Sequence, residues 1–124
     1  MFNAELSVCG HGGHAVVALC GELDLADAPV VASRLIAAVA AFGPSIIADL
    51  AGLEFIDCCG LGVLVRVQKW TREDGGDMYL AGPRPRVRRV LEMVGLTGVF
   101  SVYPSVEQAV TGARLARPLA AAAS

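Results

Sequence analysis

Short apolar runs of strand length alternate with segments of helical periodicity along nearly the whole chain of 124 residues. Such alternation predicts parallel strands joined by right-handed helical crossovers. Residues 4–9 and 16–20 come first, and the glycine- and histidine-rich residues between them favour a tight turn, which predicts an antiparallel hairpin. We therefore expect an α/β domain with the element order β-β-α-β-α-β-α-β-α and a mostly parallel sheet.

Capping and turn residues set the expected limits of the other elements. Asp27 is a good N-cap for the first helix, and the Gly-Pro pair at 43–44 stops it. Gly95 fits a glycine C-cap for the third helix, and Ser105 with Gln108 forms a capping box for the fourth. The other expected strands are residues 45–50, 77–81 and 99–103. We expect a loop at 51–58, and a second helix that runs from Gly60 to the glycines at 75–76.

The expected core comes from the helical stripes and the buried strands. The first helix carries its apolar stripe on Val31, Leu35, Ala38, Val39 and Phe42, a spacing that faces a sheet. Four further residues expected in the core are Cys20, Leu50, Leu64 and Leu91. The domain is expected to cover residues 1–112, followed by an alanine-rich tail at 113–124 that frays.

Charge and hydropathy exclude several classes of protein. The formal net charge is −2 with both signs mixed, which argues against nucleic-acid binding as the main activity. No apolar run is long enough to span a bilayer and no signal peptide is visible, so we expect a cytoplasmic protein without membrane contact. One basic run, between Arg84 and Arg89, fits either a solvated helix start or a rim of charge that meets an acidic partner.

Enzyme templates fail at specific positions. A cysteine phosphatase loop needs arginine six residues after its cysteine, but Leu64 and Val65 stand there after Cys58 and Cys59. Val65 also replaces the third glycine of a dinucleotide fingerprint that would begin at Gly60. A Cys-His thiol enzyme remains a remote alternative. We expect no catalytic residue, no cofactor and no small-molecule substrate.

The hairpin is a candidate metal site, because it contains four soft or borderline ligands, Cys9, His11, His14 and Cys20. Their spacing matches no zinc motif, and the absence of CxxC excludes a thioredoxin-like motif. Cysteines serving as small apolar core residues are the simpler interpretation. We therefore expect no metal.

The most informative stretch is Phe-Ile-Asp-Cys-Cys-Gly-Leu-Gly at 55–62, which puts an acid and two thiols at the start of a helix. Asp57 fits an N-cap. The unpaired N–H groups and partial positive charge of a helix N-terminus favour any anion placed there. This segment is therefore the main candidate for a functional surface.

Three motifs together resemble the STAS family, and within it the bacterial anti-sigma-factor antagonists. They are Gly-Glu-Leu-Asp at 21–24, Asp-Leu at 49–50 with the 55–62 stretch, and the helix at 87–96 that ends in Gly-Leu. The resemblance covers residues 4 to 112 approximately. It implies a STAS (SpoIIAA-like) fold, with four helices in successive strand–helix turns, and a non-enzymatic binding function in transcription regulation.

The resemblance also implies a partner and a switch. Antagonists of this kind bind an anti-sigma factor, often a GHKL-type serine kinase, and so free a sigma factor; phosphorylation of a serine at the helix start ends the binding. The partner-binding positions carried over are Asp24, Asp57, Cys58, Cys59, Gly60 and Leu61.

Cys59 stands at the position equivalent to the phosphoacceptor serine, which puts phosphorylation of this chain in question. Two hypotheses follow: a constitutive antagonist, or a switch through thiol oxidation, beside the simpler interpretation that cysteine merely replaced serine. The remaining alternatives are a STAS module of another signalling assembly, such as a stress response, or a small-ligand sensor.

Overall fold

The structure, a computed structural model, describes residues 4–11, 14–23, 28–42, 45–93, 95 and 100–113. The predicted order of strands and helices is confirmed. The elements are β1 (Ala4–His11), β2 (His14–Leu23), α1 (Ala28–Phe42), β3 (Ile46–Ile56), α2 (Cys58–Glu73), β4 (Met78–Ala81), α3 (Pro85–Met93), β5 (Ser101–Tyr103) and α4 (106–113).

One five-stranded sheet has the order β1-β2-β3-β4-β5. β1 and β2 pair antiparallel up to His11 opposite His14, and the later pairs are all parallel. The expected mostly parallel sheet with an N-terminal hairpin is therefore confirmed. The N-cap predicted at Asp27, the helix stop at 43–44 and the tail beyond Ala113 lie outside the described residues.

Helices cover the two faces of the sheet unequally. α1, α2 and α3 contribute buried side chains to one large core, which includes the predicted residues Leu50, Leu64 and Leu91 at 0% exposure. The described part of α4 packs on the opposite face in a smaller cluster with Val16 and Ile47. The right-handed crossovers explain why three consecutive helices share one face.

The expected burial of Cys20 is wrong, because its side chain is exposed. Side chains alternate across a strand, and Leu19 takes the position that faces α1–α3. Cys20 therefore points to the other face, beyond the cluster formed with α4. The expected burial of Phe42 is also wrong: its side chain is 46% exposed at the end of α1, where its ring lies beside Gly10 of the edge strand.

The loop expected at 51–58 is wrong as well. β3 continues to Ile56, and α2 starts two residues later. The extension is possible because β2 also continues, to Leu23, and the two strands stay paired through irregularities between Ala18 and Cys20 and between Gly21 and Glu22. This pairing is not encoded in a simple alternation of apolar residues, so the sequence pattern of 51–56 does not indicate a strand.

Two predicted helix boundaries are confirmed by their hydrogen bonds. Gly95 has φ +73°, the left-handed conformation of a C-cap glycine, and its N–H donates to the Glu92 carbonyl at 3.1 Å. Ser105 Oγ accepts from the N–H of Gln108 at 3.2 Å and caps α4. Within the described residues, no helix has the length and apolar character needed to cross a bilayer.

Tyr79 on β4 makes stability sensitive to alkaline pH. Burial, and then the nearby Asp77 carboxylate, raise the pKa of its phenol above the ordinary 10.0. A raised pKa in the folded state stabilises the protein below pH 10, and this contribution is lost as pH rises towards the folded-state pKa. We expect wild type to lose more unfolding free energy than Tyr79→Phe between pH 8 and pH 11, as measured by urea denaturation. Parallel losses in the two proteins would contradict this.

Candidate functional site

The first turn of α2 is held in place by Asp57. Its backbone is extended (φ −108°, ψ −174°), and its carboxylate Oδ1 accepts a hydrogen bond from the N–H of Gly60 at 3.0 Å. Its own N–H donates to the Leu23 carbonyl at 3.2 Å, and its carbonyl accepts from the N–H of Leu61 at 2.9 Å. The predicted N-cap is therefore confirmed, and it ties the helix start to the end of β2.

Gly60 allows α2 to approach the sheet closely. A Cβ at this position would lie 2.7 Å from the carbonyl oxygen of Leu23 and 2.8 Å from the side chains of Leu23 and Ile56. Real Cβ atoms do not come so near other heavy atoms, so only glycine fits without a shift of the backbone. Gly60 and Leu61 are buried by the chain itself and set the position of the turn.

Cys58 and Cys59 are the exposed members of this turn. Both are free thiols at the surface, and both line an open groove of about 420 Å³ between the starts of α1 and α2. Small residues of both helices form most of its wall, and Arg66 is its charged member: the lining residues are Ala28, Pro29, Ala32, Cys58, Cys59, Gly62, Val63 and Arg66.

The structure thus brings Asp57, Cys58 and Cys59 together at one helix tip, with Gly60 and Leu61 directly beneath. Asp24 lies outside the described residues, which end on β2 at Leu23 and resume on α1 at Ala28. This arrangement presents a carboxylate, two thiols and one guanidinium on an accessible surface.

The basic run of 84–89 lies at and before the start of α3. Arg84 donates from Nε to the carbonyl of Ala51 at 2.7 Å, and its guanidinium lies 3.9 Å from the Glu54 carboxylate. These contacts place Arg84 beside β3, whereas the other three arginines of the run lie on α3 itself.

The groove and Arg66 are the features that the sequence prediction missed. Cys59, Gly62, Val63 and Arg66 follow the spacing of one helical face, so the α2 side of the groove was detectable in the sequence. The α1 side depends on how two helices pack, which the spacing of residues within one helix does not encode.

The four candidate metal ligands of the hairpin do not share one environment. His14 is 1% exposed, whereas Cys9 and Cys20 are exposed at the surface; the side chain of His11 lies outside the described part of the structure. Among the residues described, no three His, Cys, Asp or Glu side chains are placed to hold one metal ion.

The sequence of this domain matches a known domain family. The family model of the STAS domain matches residues 5–109, and the chain therefore belongs to the STAS domain family. The resemblance inferred from the three sequence motifs is confirmed.

Three proteins that are similar to this chain are described as anti-sigma factor antagonists. The anti-sigma F factor antagonist of Paenibacillus polymyxa is 31% identical over 110 residues, which cover 88% of this chain and 94% of that protein. A crystal structure of an anti-sigma factor antagonist from Mycobacterium paratuberculosis is similar with TM-score 0.81 and 30% identity, over 90% of this chain and 94% of that one. The antagonist SpoIIAA in its unphosphorylated form is similar with TM-score 0.74 and 25% identity, over 90% of this chain and 96% of that one.

Proposed function

We propose that this protein is an anti-sigma-factor antagonist, a cytoplasmic binding protein and not an enzyme, that binds an anti-sigma factor and thereby frees a sigma factor. The observation that carries the proposal is the tip of α2, where two exposed residues stand on a turn fixed by Asp57 and Gly60. Relatives that match most of the chain are described as antagonists of this kind.

The docking surface is proposed to be the α2 tip: Asp57, Cys58 and Cys59 with the adjoining groove. Rigid presentation favours binding, because a preformed turn loses little conformational entropy when a partner covers it. Gly60 and Leu61 act indirectly by positioning this turn, since both are buried. Asp24, which follows β2, is proposed to lie at the edge of the same surface.

The partner is proposed to be an anti-sigma factor of the GHKL serine-kinase type. From the family resemblance, we propose that Cys59 occupies the position of the acceptor serine. Its side chain is exposed, but it carries a thiol instead of a hydroxyl. We therefore propose a constitutive antagonist, one that such a kinase does not inactivate by phosphorylation at this turn.

A displacement assay tests the proposed function. Each purified anti-sigma factor of the source organism is complexed with its sigma factor, and release of the sigma factor is followed as the protein is added. Wild type should release the sigma factor from one of them. Cys59→Glu, which adds a carboxylate at the α2 tip, should need at least roughly tenfold more protein, because burying an unpaired charge in an interface removes its hydration at a large free-energy cost.

Cys59→Gln is the matched control, because it adds the same bulk without the charge. We expect it to remain closer to wild type than Cys59→Glu. The helix dipole stabilises a glutamate in the first turn of a helix. Weaker release of the sigma factor by Cys59→Glu would therefore not reflect unfolding. Failure of wild type to displace any sigma factor would refute the proposed function.

A redox-sensing STAS module is the second candidate, favoured by the exposure of both thiols on one groove. Oxidation of Cys59 by peroxide gives a sulfenic acid and water, and adds polar bulk at the docking surface. The same assay after mild peroxide treatment separates the candidates. Unchanged release after peroxide would exclude redox control.

A further inference from the structure

The basic residues of this chain are concentrated on one layer of the fold. α1, α2 and α3 contain seven of the ten Lys and Arg residues but only two of the twelve acids, Glu73 and Glu92. These three helices pack on the same face of the sheet. The chain as a whole has a net charge of −2, so the helical layer is cationic on a protein that is otherwise strongly acidic.

Several of these cations are available to a partner. Arg66, Lys69, Arg86 and Arg89 are exposed, and none forms an ion pair with any residue that the structure describes, whereas Arg72, Arg84 and Arg88 each lie near a carboxylate. Arg66 connects these cations to the α2 tip, because it lines the same groove as Cys58 and Cys59. The cationic layer is therefore continuous with the α2 tip.

The composition of the layer is that of a protein interface. Six of its seven cations are arginine, its helices contain no aspartate, and Trp70 and Met93 are exposed on it, Met93 to 78%. Arginine, tryptophan and methionine are enriched at protein–protein interfaces, whereas lysine, glutamate and aspartate are depleted. Arginine also binds carboxylates with two parallel hydrogen bonds, which a lysine does not offer.

We propose that the α1–α3 layer docks an acidic surface of the protein partner, with Arg66 as the cation at the α2 tip. This inference rests on the proposed function and specifies the chemistry of the partner's surface. A protein partner is favoured over nucleic acid, because the rest of the sequence has ten acids and three basic residues, and this excess of negative charge repels a long polyanion.

An acidic partner also explains how charge at the α2 tip would control binding. Cys59 lines the same groove as Arg66, so an anion added at this position faces the same partner surface as Arg66. Added negative charge there both repels the acidic partner and competes for the guanidinium. The position of Arg66 in the groove thus links the docking charge to the proposed regulatory position.

Association kinetics test this inference. Purified anti-sigma factors of the source organism are titrated one at a time at 50 and 300 mM NaCl. The association rate should fall by roughly tenfold at the higher salt, because steering by opposite charges is screened. Arg66→Gln should lower the rate at 50 mM by roughly threefold or more and should weaken the salt dependence.

Gln108→Glu is the matched control. It lowers the net charge by the same amount but lies on α4, on the opposite face of the sheet, and glutamate at this place in the capping box is favourable. We expect its association rate to equal that of wild type.

The outcomes separate the two claims. If one anti-sigma factor binds with no dependence on salt or on Arg66, the proposed function stands and the acidic docking surface is wrong. If none binds wild type, the proposed function is wrong and this inference falls with it. Duplex DNA and phosphatidylglycerol vesicles serve as further probes. Binding to either of them, weakened by Arg66→Gln, with no binding to an anti-sigma factor, would assign the layer to another class of ligand and overturn the proposal.

Discussion

Replacing Gly60 by alanine will lower the free energy of unfolding by roughly 1–3 kcal/mol, the typical cost of overpacking a filled site. The added methyl group would meet the carbonyl oxygen of Leu23 at 2.7 Å, as well as two core side chains. That oxygen belongs to the backbone of β2 and accepts the hydrogen bond from Asp57. The clash is relieved only by moving the helix start away from the strand.

Gly62→Ala is the matched control in the same helix turn. A Cβ at Gly62 would meet no atom within 4 Å, and alanine is favoured over glycine in a helix interior by about 1 kcal/mol. We therefore expect Gly62→Ala to be as stable as wild type or more stable, while Gly60→Ala is clearly destabilised in urea denaturation. Equal stabilities of the two variants would show that the contact between α2 and β2 relaxes without cost.

Local sequence patterns were sufficient to predict the order of elements and the N-cap of α2. Each strand and helix has its own periodicity, and Asp57 precedes a helical stripe that is visible in the sequence. Local patterns did not predict the strand at residues 51–56, because this strand depends on pairing with β2 across two irregular positions. Propensity describes one segment at a time, whereas this pairing joins residues about 30 positions apart.

In the candidate site, too, some features are predictable from local sequence and others depend on the packed structure. Asp57, Cys58 and Cys59 could be placed at a helix tip from the sequence, since capping is local. The requirement for glycine at position 60 has its physical cause in the carbonyl of Leu23, which only the packed structure reveals. The burial expected for Cys20 failed for a similar reason: alternation gives the side of the strand, but not which side the helices cover.

Cys59→Ser will convert this protein into a substrate of its partner, provided that the partner is a serine kinase. The serine places a hydroxyl at the exposed position in the first turn of α2, where a helix N-terminus stabilises the phosphate that it receives. Incubated with the anti-sigma factor and ATP, Cys59→Ser should gain one phosphate by intact-mass measurement, whereas wild type should gain none.

The phosphate should then abolish most of the binding. It adds a charge of about −1.5 to −2 beside the carboxylate of Asp57 and on the groove that contains Arg66. Against an acidic partner this charge should lower the affinity roughly 100-fold, measured by titration of the phosphorylated and unphosphorylated variant. The unphosphorylated variant should bind like wild type, because serine and cysteine differ little in size.

Cys58→Ser is the control that isolates position. It offers the same hydroxyl one residue earlier, on the same exposed turn, yet the family resemblance places the acceptor at 59 alone. Phosphate on Cys58→Ser but not on Cys59→Ser would contradict the assignment of position 59 as the acceptor position. Phosphate on wild type at this turn would contradict the proposal of a constitutive antagonist. If phosphorylated Cys59→Ser retains full affinity, the helix tip is not part of the docking surface, because a doubly charged group cannot be buried against an acidic partner without cost.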